Sequence, residues 1–201
     1  MQGERLNTFS HLAALLGCLL AAAALLRETV QGGDVRKTLA ALVFAVCTVL
    51  LYGASALFHG SAGARKKVWE RADHAGIYLL IAGSHTPFAL SEPPAAGAWV
   101  GLAAVWALAL WCGGKALRTD LPPPLALYVG LGWLGLGAAV PAALRDGGIT
   151  LAWLFAGGAF YTAGTLFYRR FAGLRHAHGI WHLFVVAGTA SHWVAVFRLL
   201  A

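Results

Sequence analysis

His178 and His182 are separated by four positions at the start of an apolar, helix-length run. On a helix such a pair lies about 40° apart and one turn apart in height, so both imidazoles can reach one ion. Ser55 and His59 repeat that spacing at the end of another apolar run, and Asp73 and His74 open the next. Three neutral imidazoles, His59, His178 and His182, form a donor set suited to Zn2+ with a fourth position left for water, whereas calcium and magnesium prefer oxygen. Water bound in this way has a pKa near about 7. Asp73 could take its proton or hydrogen-bond a ligand imidazole; the competing assignment is an N-cap, favoured for Asp just before a helix. Ser55 shares the face of His59 and could donate to a developing oxyanion. Its competing assignment is a back-bond to its own helix.

These side chains need elements that bring them to one level. The chain has 201 residues, of which 59% are hydrophobic and only 11% charged, and its mean hydropathy is +0.69. Soluble domains carry roughly 25% charged residues, so the composition specifies an all-α integral membrane protein. With roughly 20 residues per crossing, residues 1–201 divide into a single domain of seven transmembrane helices. The spans are expected near 8–26, 38–59, 74–91, 97–113, 124–144, 149–168 and 179–199. Gly32-Gly33, Pro93-Pro94, Pro122-Pro123-Pro124 and Gly147-Gly148 supply turn chemistry between them. Glu4 and Arg5 nearly cancel ahead of a long first apolar run, which is unlike a removable signal peptide.

Spans placed by hydropathy alone put His59, Asp73, His74, His178 and His182 at the same membrane depth. Ionisable groups inside a membrane are costly, and their default reading is functional.

The net charge of +7 sits in short connections rather than on a continuous basic face with interleaved aromatics, so no nucleic-acid partner is expected. Its distribution sets topology instead. The N-terminus and the second, fourth and sixth connections hold ten basic residues (Arg5; Arg65, Lys66, Lys67, Arg71; Lys115, Arg118; Arg169, Arg170, Arg175), against five on the opposite side. That bias predicts a cytoplasmic N-terminus in a multi-pass protein of the plasma (inner) membrane. Cys18, Cys47 and Cys112 fall in or at the ends of apolar runs without CxxC spacing, as small core residues do.

Glu4, Asn7 and His11 recur at i, i+3 and i+7, one face of the first helix. They form either a solvated first turn or a brace that hydrogen-bonds the metal ligands or the second connection. His192 lies about 15 Å deeper than His182 and is not expected to be a ligand. It and His85 are candidates to line a polar interior path or to pair with Ser191 and Ser84. His176 falls in a basic connection and is expected to be solvated.

Taken together, Glu4, Asn7 and His11, then Ser55, His59 and Asp73, then His178, His182 and His192 resemble the three motifs of the hemolysin III group within the progestin and adipoQ receptor family. Asp-His-Ala-Gly-Ile at 73–77 is similar to its bacterial members. The resemblance spans nearly the whole chain. It implies a seven-helix fold with a cytoplasmic N-terminus, and zinc near the cytoplasmic side held by His59, His178 and His182 with Asp73 beside the water. It also points to lipid chemistry, because the wider superfamily includes alkaline ceramidases. No counterpart of the long N-terminal domain of the eukaryotic receptors is expected.

The leading expectation is a zinc-dependent hydrolase of a lipid amide or ester, with a membrane lipid as substrate or ligand, Asp73 and Ser55 acting on it, and Glu4, Asn7 and His11 bracing the ligands. Two other readings stand beside it: a hemolysin or channel-like pore, and a membrane lipid sensor, each with zinc as a structural pin.

Overall fold

The first helix shows how the chain is organised. In α1 (Glu4–Gln31) the residues turned inward are Asn7, His11, Cys18, Ala22, Leu25 and Thr29, while Phe9, Leu12, Leu16, Leu19 and Leu20 are exposed. Apart from Leu25, polar and small side chains face the interior and large apolar ones face out, the reverse of a water-soluble helix and the pattern a lipid environment requires.

The computed structural model describes residues 4–91, 96–145, 147–171, 173–174 and 176–201. The Pro93-Pro94 turn and Arg175 lie outside the described residues. Among the described residues the regular structure is helical throughout: α1, α2 (Val35–Gly60), α3 (Ala64–Leu90), α4 (Ala96–Ala116), α5 (Leu125–Ala143), α6 (Ile149–Arg170) and α7 (Ala177–Leu200). Five of them, α1, α2, α4, α6 and α7, are long and apolar enough to cross a membrane. α3 carries a run of charge in its first half, whereas α5 carries no charged residue along its 19 residues.

The turns follow local chemistry. Gly33 takes a φ of 72°, which a residue with a Cβ rarely adopts. Asp34 then caps α2, its Oδ1 accepting from the backbone N–H of Arg36 at 2.9 Å and of Lys37 at 3.3 Å. The third helix departs most from expectation. It begins at Ala64 rather than at the onset of apolar sequence near 74, so the second connection shrinks to residues 61–63. Arg65 to Arg71 are good helix formers despite their charge, and hydropathy registers where lipid begins rather than where a helix begins. Asp73 therefore sits inside α3 and does not cap it.

α3 and α7 form the centre. α3 packs against α2, α4, α5 and α7, and α7 packs against α1, α2, α3, α5 and α6. Lipid tails are as apolar as leucine, so helix association in a bilayer relies on close van der Waals contact. A Cβ at Gly83 would stand 2.6 Å from Cys47 Cβ, and one at Gly164 2.7 Å from Phe184 Cβ, so these glycines let α3 meet α2 and α6 meet α7. At one end of the bundle Lys37 Nζ donates to the Leu200 carbonyl at 3.0 Å. At the other end the polar site is built.

Candidate metal centre

The last turn of α2 carries His59, and the first two turns of α7 carry His178 and His182. Their ring centroids lie 5.1 Å (His59–His178), 4.7 Å (His59–His182) and 4.6 Å (His178–His182) apart. One ring nitrogen from each falls within 4.8 Å of the other two. His59 Nε2, His178 Nε2 and His182 Nδ1 are all buried without a hydrogen-bond partner. Such atoms are expensive to bury, and three of them converging leave a lone-pair cluster that a single metal ion would satisfy. The nitrogen donor set suits a first-row transition ion rather than calcium or magnesium.

Glu4 fixes one of these imidazoles. Its Oε2 accepts from His59 Nδ1 at 2.7 Å, which turns the Nε2 lone pair toward the cluster. Its Oε1 accepts from Lys66 Nζ, also at 2.7 Å. The first turn of α1 is thus a brace tied to α2 and α3 rather than a solvated end. Such carboxylate–histidine pairs orient metal ligands and raise their basicity. His11 stacks on His182 with centroids 3.8 Å apart and planes 19° from parallel, and the backbone of Asn7 interacts with the His182 ring. Tyr168 stands edge-on to His178 at 5.6 Å, with Trp181 at 5.2 Å on the same ring.

Ser55 and Asp73 line a cavity of about 110 Å³ together with His11 and His182. Ser55 makes no back-bond to its helix, and its Oγ is buried without a partner. Asp73 is buried on the same wall. All eight site residues read from the sequence therefore lie around one end of the bundle: three imidazoles in a cluster, Glu4, Asn7 and His11 against them, and Ser55 with Asp73 on the adjoining cavity wall. His85 and His192 line the same cavity. Neither pairs with the serines expected, since Ser84 Oγ donates to the Ile81 carbonyl and Ser191 Oγ to that of Ala187.

A family model described as haemolysin-III related matches residues 1–193. The chain belongs to that family. It is 33% identical over 201 residues to a protein named Hemolysin-3 homolog from Bacillus subtilis (strain 168), covering 96% of this chain and 92% of the relative. It is 32% identical over 199 residues to Hemolysin-3 of Bacillus cereus, covering 96% and 90%. The match to this multi-pass membrane family takes in α1 through most of α7, and so every residue of the site.

Some contributors were hidden in the sequence. Lys66 lies in a basic run that reads only as a topology signal, yet it holds the carboxylate that holds His59. Tyr52 and Tyr161 both donate to Thr189 Oγ1, at 2.7 and 2.8 Å, while Thr189 donates to the Val185 carbonyl at 3.1 Å. This satisfied polar knot ties α2, α6 and α7 together. No spacing rule exposes it, because its members come from three separate helices.

Proposed function

We propose that the chain is a zinc-binding protein of seven transmembrane spans that hydrolyses an amide or ester bond of a membrane lipid. The observation that carries this reading is the convergence of three unpartnered, buried imidazole nitrogens beside a largely apolar cavity whose wall also holds Ser55 and Asp73. A purely structural pin requires neither the cavity nor a buried carboxylate next to it. The low hydropathy of α3 is consistent with a span, since a helix surrounded by α2, α4, α5 and α7 needs little lipid-facing apolar surface. The excess of Lys and Arg on the N-terminal side supports a cytoplasmic N-terminus in the plasma (inner) membrane.

A zinc ion held by His59, His178 and His182 would polarise a carbonyl and acidify a bound water. The remaining steps belong to the chain's own residues. Asp73 takes a proton from the attacking water and passes it to the departing amine or alcohol. Ser55 Oγ–H, free of its own helix, donates to the carbonyl oxygen as negative charge develops there. Glu4 keeps the His59 ring in one tautomer and orientation. The apolar cavity wall accepts acyl chain and excludes water from it.

The deciding experiment measures zinc in detergent-purified wild type and in His182→Ala, followed by hydrolysis of lipid amides and esters. About one zinc per chain, lost in the variant, with turnover that depends on it, supports the reading. Folded wild type that binds no zinc would overturn it. Zinc bound without turnover of any lipid would move the sensor or pore reading to the front.

A further inference from the structure

The metal cluster and its neighbours account for only one end of the cavity. Further along, its wall holds two more histidines, His85 on α3 and His192 on α7, which are 5% and 6% exposed. Each ring lies against a glycine of a neighbouring helix. A side chain at Gly135 of α5 would collide with His85, and one at Gly157 of α6 would collide with His192. The outer edge of each ring is turned toward that helix: His192 Nε2 donates to the Leu154 carbonyl at 3.3 Å, and His85 interacts with the backbone of Gly132. The other nitrogen, Nδ1 in both cases, is buried without a partner.

Two imidazoles deep in an apolar bundle, each with an unsatisfied nitrogen, cost more than apolar side chains of similar shape. Helix pinning alone explains the satisfied edges and leaves both Nδ1 atoms without a role. Between this pair and the metal cluster α3 and α7 contribute apolar lining, Ile77, Leu80, Ile81 and Val185, while α6 adds Tyr161, whose hydroxyl is already paired with Thr189. His182 and His192 are ten residues apart on one helix, so the two polar stations are separated by about 15 Å.

We propose that His85 and His192 form a second, deeper ligand station, which hydrogen-bonds a polar group carried partway along the chain of an amphiphile whose head lies at the His59–His178–His182 end. The inference rests on reading the cavity as a lipid site but not on any hydrolysis there. It assigns the ligand to a chemical class: a lipid whose hydrocarbon chain bears a mid-chain hydrogen-bonding substituent such as a hydroxyl.

Oleic and ricinoleic acids differ by one mid-chain hydroxyl and can be compared by binding to zinc-loaded, detergent-purified protein. Wild type is expected to bind ricinoleic acid up to about tenfold more tightly, the effect of one hydrogen bond to an otherwise unpartnered buried group. His192→Phe is expected to bring the two affinities together while oleic acid still binds. His85→Phe should reduce the preference likewise, which guards against either variant failing to fold. Equal affinities in wild type, or a preference that survives both substitutions, would overturn the second station and leave the lipid cavity standing. Binding of neither acid would overturn both. A fall in melting temperature with an unchanged preference would assign the histidines to helix pinning and overturn the proposal.

Discussion

Glu4 and His59 are 55 positions apart in sequence, yet a carboxylate oxygen of one lies 2.7 Å from Nδ1 of the other. The same carboxylate holds Lys66, so three helices meet at one side chain beside the imidazole cluster.

Glu4→Gln keeps the shape and an acceptor but removes the charge. It is expected to weaken zinc affinity by about 10- to 100-fold, the usual effect of losing a ligand's outer partner. Competition against a chelator of known affinity reads this directly. An unchanged affinity would show that the His59 orientation does not depend on Glu4.

Asp73→Asn separates proton handling from metal binding. Zinc content should remain at the wild-type level while lipid hydrolysis falls by about 10²- to 10⁴-fold, the range for a lost general acid or base. Turnover that survives the substitution would remove Asp73 from the chemistry.

Close packing between α2 and α3 makes Gly83 sensitive. Any side chain there meets Cys47 at 2.6 Å from backbone-anchored atoms, and Gly83→Val is expected to cost about 1–3 kcal/mol through overpacking. Gly17→Ala is the control, because nothing lies within 4 Å of a Cβ there. Thermal unfolding in detergent compares the two; equal melting temperatures would contradict the packing described.

Outside the bundle, Arg71 donates twice to Asp120 Oδ1, at 3.0 and 2.9 Å, and holds that carboxyl below its ordinary range. A depressed carboxylate pKa contributes stability above the unfolded value and loses it as pH falls through the folded one. Asp120→Asn should therefore lower the melting temperature slightly near neutral pH, and the difference should vanish in strong acid and shrink in high salt, since the pair is exposed. A difference that grows on acidification would reverse the assignment.

Much of the site was legible because its members obey helical spacing. His178 and His182 repeat at i, i+4, Ser55 and His59 do the same, and Glu4, Asn7 and His11 share a face. Alternating spans then bring those faces to one end. Asp73 was legible as a participant but not in its setting, because the charged stretch before it hid ten residues of helix. α3 falls short on apolarity because its first half is charged, and the neighbours that surround it leave little need for apolar surface. The glycine notches under His85 and His192 were not legible at all. A glycine in an apolar run signals close approach but does not name the ring that fills it.

The stacking of His11 on His182 joins the first helix of this chain to the last. A ribosome makes His11 long before His182, and α1 enters the bilayer with the His11 ring facing none of the imidazoles it later packs against. The imidazole cluster comes into being only when α7 arrives. A metal ion bound there would report that insertion is finished, since a chain interrupted before α7 has only one of the three imidazoles, His59, to offer.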